Sequence, residues 1–177
     1  MKRNAVVLVS ICFFTSCHSR ISMQERLYIT DEMLKSNSLP YDAGDLVAKV
    51  HKIETNKESA DLLRCLPSHW GTLEALMYYD MEVNNGGHKQ YFINSRGYFI
   101  DLVENGLEHY GAKEHLLIYR QALSRYHAMH NGNDSNAIND INPYSDLDVL
   151  YYKSNPQLAK IIDKYIRDHI HDYRNNK

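Results

Sequence analysis

One carboxylate, four side-chain amides and three glycines fall within the sixteen residues from Glu82 to Gly97. Asn84, Asn85, Gln90 and Asn94 each carry a donor and an acceptor. Such a set can hold a ligand or a partner, and one version seats an anion on the free N–H groups ahead of Gln90. The same residues can instead serve the chain itself. Asn84 and Asn94 would then satisfy the backbone of two sharp turns, and Glu82 would cap or pair nearby. The structural role is favoured, because a buried turn needs such amides whatever the protein does. The candidate site is this carboxylate and these amides, together with Gly86, Gly87, Tyr91 and Phe92.

A second chemistry is legible at the N-terminus. Lys2 and Arg3 precede an apolar stretch from Ala5 to Phe14, and Thr15-Ser16-Cys17 follows. Small residues ahead of a cysteine look like the lipobox of a bacterial lipoprotein, where cleavage frees Cys17 for acylation. A membrane-spanning helix is the lesser reading, since it needs about 20 apolar residues and polar residues resume at His18. The expected organisation is a signal peptide over 1–16, a lipidated tether and N-terminal segment over 17–40, and a helical domain over 41–177. Cys12 would leave with the leader. Cys65, among Leu62, Leu63 and Leu66, is expected as a buried inert thiol with no internal disulfide. Losing Lys2 and Arg3 takes the formal charge from −2 to −4, mildly acidic.

The elements that would position these groups are helical. The chain has 177 residues, 44% hydrophobic and 24% charged, enough for one domain with a core. Periodic apolar stripes separated by Gly and Pro predict an all-α, single compact multi-helix bundle. A weak helix pattern covers Arg26–Lys35 and ends at Leu39-Pro40. Asp42 can cap a helix carrying Ala43, Leu46, Val47, Val50 and Ile53. Another runs from Glu58 to Leu66. Ser68 can cap the helix whose buried stripe is Trp70, Leu73, Leu76, Met77 and Met81. Asn-Asn-Gly-Gly stops that helix, because Gly and Asn accept left-handed backbone cheaply. Gln90–Ile93 provides about one more turn before Asn94–Gly97 stops it again. The result is a central helix–turn–short helix elbow.

Further helices follow on Phe99, Leu102, Val103, Leu107 and Tyr110, with Gly106 permitting close approach, and on Leu116, Tyr119, Ala122, Leu123 and Tyr126. Residues 128–145 read as a solvated loop. Its Asn131–Asn136 run lacks the final Glu of a calcium loop. A short helix over Asp146–Tyr152 precedes Asn155-Pro156, a cap-and-first-turn signal for the last helix. That helix carries Leu158, Ile161, Ile162, Tyr165, Ile166, Ile170 and Tyr173. Asp163 and Arg167 lie on its outer face at i,i+4, worth a few tenths of a kcal/mol.

Glu-Val-Asn-Asn-Gly-Gly, a spacer pair, then Gln-Tyr-Phe-Ile-Asn-Ser resembles the signature of the bacterial DNA-mimic protein family. Leu66-Pro67, Gly111-Ala112 and the tail from Leu147 to Tyr173 fit the same pattern, so the resemblance covers roughly 60–173. His88 departs from it, standing where an aromatic or aliphatic residue is expected. The resemblance implies a small all-helical domain. Members of known role resemble a DNA surface and occupy DNA-binding proteins.

Glu104 and Glu108 share a helix face, with Asp80, Glu82 and Glu114 near in sequence, and could imitate phosphates. Lys89, Arg96, Lys113, Arg120 and Arg125 are interleaved, so the field should largely cancel at long range. The chain has none of the nucleophile-elbow, phosphate-loop, dinucleotide or zinc-helix motifs of common enzymes. His127 and His130 could share a face but lack an evident third ligand. The expectation is a non-catalytic protein-binding lipoprotein of the cell envelope, with a membrane anchor at Cys17. No cofactor, no metal and no direct nucleic-acid binding are expected. The alternative is a cytoplasmic DNA mimic whose leader is not used.

Overall fold

The computed structural model describes residues 27–130 and 142–174. The leader, Cys17 and Asn131–Asn136 lie outside the described residues. A 3-10 turn at Met33–Lys35 leads into seven helices: α1 Leu39–His51, α2 Lys57–Cys65, α3 Ser68–Ser95, α4 Ile100–His109, α5 Lys113–His130, α6 Ser145–Lys153 and α7 Leu158–Asp168. No strand occurs among the described residues. The all-α bundle follows from the apolar periods.

The axis of the bundle is α3. Its first arm buries Trp70, Leu73, Leu76, Tyr79 and Val83, and also Thr72, Ala75, Met77 and Asp80. A helix buried on so many sides has to be surrounded, and α1, α2, α4, α6 and α7 all pack against it. Met81 leaves the expected stripe and is 46% exposed. The true stripe turns through Tyr79, Asp80 and Val83, whose burial depends on partners distant in the chain. Gly106 does allow close approach: a Cβ there would lie 2.7 Å from Leu76 Cδ1.

Several boundaries move. Arg26–Lys35 yields a helix only at the 3-10 turn, and Leu39-Pro40 opens α1, where proline's missing N–H costs nothing. Ser68 is the first residue of α3 and makes no side-chain cap, whereas Asn56 caps α2 by accepting from Ser59 N–H at 2.8 Å. At the other end the Asn155-Pro156 bond is cis and α7 begins only at Leu158. The packed body also reaches further back than residue 41. Leu27 and Ile29 are buried, and Ile29 N–H donates to Tyr173 C=O at 3.3 Å. Arg167 meets Asp163 at 2.8 Å as expected, and also donates to Leu34 C=O at 2.7 Å. Cys65 is half-buried, as against the buried position expected, and in the full chain it is disulfide-bonded to a partner outside the described residues; the free thiol was expected of the lipidated form.

Glu74 sits in the seam between α3 and α1, where a Cβ on Gly44 would lie 3.1 Å from its carboxylate. Burial, helped by the charge of Asp45, raises its carboxyl from 4.5 to about 7. The folded chain therefore holds this proton where the unfolded chain has lost it, and stability falls as pH rises through that window. The shift corresponds to about 3 kcal/mol at most. Glu74→Gln should add about 2 kcal/mol at about pH 8 and little at about pH 4. Urea unfolding at the two pH values checks this; equal gains at both would contradict it.

Candidate functional site

The elbow is a true break inside α3. The helix runs to Asn85, then Gly86 takes φ −158°, ψ 22° and Gly87 takes φ 75°, ψ −178°. The second of these is a region essentially reserved for glycine. Helix resumes at His88 and continues to Ser95, about two turns rather than one. Arg96, left-handed at φ 50°, ends it by donating its N–H to Phe92 C=O, and Gly97 follows at φ 75°.

Glu82 ties the two arms together. One of its oxygens, Oε2, accepts from Gln90 Nε2 at 2.8 Å and from Asn94 Nδ2 at 2.7 Å. Gln90 and Asn94 are one turn apart on the second arm, so both amides reach the same carboxylate. Glu82 is only 8% exposed, and these bonds are what allow it to be buried. Asn84 Nδ2 donates to Asp80 C=O at 2.8 Å, while Asn85 faces solvent. Gln90→Ala should cost about 1 kcal/mol, the net worth of one such bond, measurable by urea unfolding. A loss of binding or activity without loss of stability would instead indicate a ligand contact.

An anion does occupy the N-terminus of the second arm, and it belongs to the chain. Asp148 of α6 accepts at Oδ1 from His88 N–H at 2.8 Å and from His88 Nδ1 at 2.6 Å. Its Oδ2 accepts from Asn142 Nδ2 at 3.0 Å. Burial works to raise the Asp148 carboxyl, but these donors outweigh it and hold it below its ordinary value. Since a carboxylate only accepts, Nδ1 carries the proton. In the neutral ring Nε2 then accepts from the Tyr79 hydroxyl at 3.0 Å. The Tyr79–His88–Asp148 order imitates a proton relay, but His88 is 0% exposed. The histidine at the place of an aromatic residue is a buried bridge between α3 and α6.

Tyr91 and Phe92 are core, not contact residues. Tyr91 packs edge-on to Tyr79 with centroids 4.9 Å apart, and Phe92 stacks on Tyr126 at 4.5 Å. Among the expected site residues, then, Glu82, Gln90 and Asn94 meet, Gly86 and Gly87 form the bend, and Tyr91 and Phe92 anchor it. His88 and Asp148 were missed. They are 60 residues apart, and a lone Asp in α6 gives no local signal.

Asp80, Glu82, Glu104 and Glu108 do not present a free phosphate-like stripe. Asp80 and Glu82 are buried. Glu104 and Glu108 are both taken by Arg120, at 2.7 and 2.5 Å. Arg64 holds Asp101 at 2.6 Å, and Arg125 holds Asp146 at 2.5 Å. Such exposed pairs contribute little stability, but they cancel much of the negative field at the surface.

The model of the DMP19-like protein family matches residues 64–169. No curated protein and no solved structure matches the chain. The matched span runs from the end of α2 into the end of α7 and takes in the whole elbow, its Glu82 clasp and the His88–Asp148 bridge. The chain belongs to the DMP19-like protein family.

Proposed function

We propose that this protein is a non-catalytic, protein-binding member of its family, held at the cell envelope by lipid on Cys17. The observation that carries the non-catalytic part is the internal pairing of the elbow. Its carboxylate, two of its amides and its imidazole are partnered within the chain, so none of these groups is presented to a substrate. Family membership supports a protein as partner. The leader pattern ending at Thr15-Ser16-Cys17 supports the address.

Lipidation and the disulfide compete within one chain. The only other cysteines are Cys12 and Cys17. Cleavage removes the first, and a thioether occupies the sulfur of the second. The acylated form therefore carries Cys65 as a thiol or pairs it with another molecule. Intact mass of the protein from its host, with and without reductant, reads cleavage, acylation and thiol state together. A full-length, unlipidated product would overturn the address. Recovery of no partner above background from envelope extract would overturn the binding role.

The second reading is the family's DNA-mimic role in the cytoplasm. Family membership favours it, and the arginine-paired surface carboxylates weigh against it. A soluble product that co-purifies with a DNA-binding protein and is displaced by duplex DNA would establish it.

A further inference from the structure

Next to the elbow, but separate from its clasp, a cavity of about 220 Å³ opens between α1, α3, α5, α6 and the start of α7. Asp80 lies at its wall, only 4% exposed. The Tyr41 hydroxyl donates to one of its oxygens and the Tyr151 hydroxyl to the other. None of the ion pairs among the described residues involves Asp80. A buried carboxylate without a cation is expensive, and two hydroxyl donors fill only about half of its roughly four acceptor sites.

His115 of α5 supplies an independent observation. It lines the same cavity and is 1% exposed, and its Nδ1 has no hydrogen-bond partner. Burial lowers the His115 imidazole below its ordinary value, against the pull of Asp80 and Glu114. It therefore does not serve Asp80 as a counter-cation, and in the tautomer protonated on Nε2 its Nδ1 is an acceptor. The cavity wall thus holds an under-used acceptor at Asp80 and an unpartnered ring nitrogen at His115, with tyrosine rings, the residue type that favours organic cations, beside them.

We infer that this cavity is a binding site for a small organic ammonium ion, with Asp80 as its counter-charge and the His115 ring in its wall. An ammonium group brings three donors and one positive charge, which is what the wall lacks. The volume is below the roughly 300–1,000 Å³ typical of drug-sized ligands, so the ligand is an amine of side-chain size. Among the described residues, Asp80 and His115 are the only carboxylate and imidazole in the wall. Among the described residues no three His, Cys, Asp or Glu are grouped to hold a metal.

Titration of the full chain with butylammonium chloride, followed by NMR of the His115 and Tyr41 rings, tests the assignment. Saturable shifts at a Kd on the order of 1 mM are expected, with none from 1-butanol or butyrate. Asp80→Asn should weaken binding at least about tenfold. Because that variant alters a buried group, Ala159→Leu, a half-exposed wall position, provides a second check by filling the space. Loss of the shifts in Ala159→Leu supports the site. Equal shifts with 1-butanol, no saturation, or unchanged binding in both variants would overturn it.

Discussion

Asp148→Ala is expected to cost about 3–5 kcal/mol, the scale of breaking a buried charged hydrogen-bond group. The substitution removes the acceptor for the His88 amide and imidazole and for the Asn142 side chain. His88 is fully buried, so water does not replace the lost partner. Each orphaned donor costs about 1–3 kcal/mol. Against a total stability of about 5–15 kcal/mol, the melting temperature should fall on the order of 10 °C. Asp148→Asn keeps one acceptor oxygen and should lose less. The wild type should also weaken in acid. With its folded value depressed, Asp148 contributes stability above the ordinary carboxylate range and loses it as pH falls through the lowered value. Asp148→Asn should lack this contribution. A melting temperature within about 2 °C of wild type for Asp148→Ala would mean that the elbow is not held by α6.

Gly86→Ala and Gly87→Ala should differ sharply although the residues are adjacent. At Gly87, φ is 75° and ψ −178°, and a Cβ would lie 2.3 Å from Asp148 Oδ2. Strain of about 1–3 kcal/mol then adds to displacement of the carboxylate that seats His88. The expected loss is about 3 kcal/mol or more. At Gly86 φ is negative, and the Cβ would meet Gln90 Oε1 at 2.1 Å, the far end of a flexible side chain. Gln90 can move aside, giving up its bond to Glu82 for about 1 kcal/mol. Urea unfolding of both variants decides the matter. Equal costs would show that the bend is set by neither the Gly87 backbone nor Asp148.

The elbow was legible because glycine and asparagine act locally. Asn84 to Gly87 stops the first arm, and Gly97 follows the second, wherever the rest of the chain lies. The length of the second arm was not legible. Its first residues, His88 and Lys89, look like spacer in sequence and become helix because Asp148 satisfies the exposed end. Met81 left its stripe for the same reason. A period states what a segment can do alone, whereas burial depends on neighbours.

By itself the sequence determined the all-helical class, most helix positions, the glycine bend and the family, since each is written in residues a few positions apart. Only the tertiary structure decided that Glu82 is a clasp, that His88 meets Asp148 across 60 residues, and that Asp80 shares a cavity with Tyr41, His115 and Tyr151. Those groups are buried polar atoms, and a buried polar atom is defined by the partner that folding brings to it. Sequence spacing carries no record of such pairs.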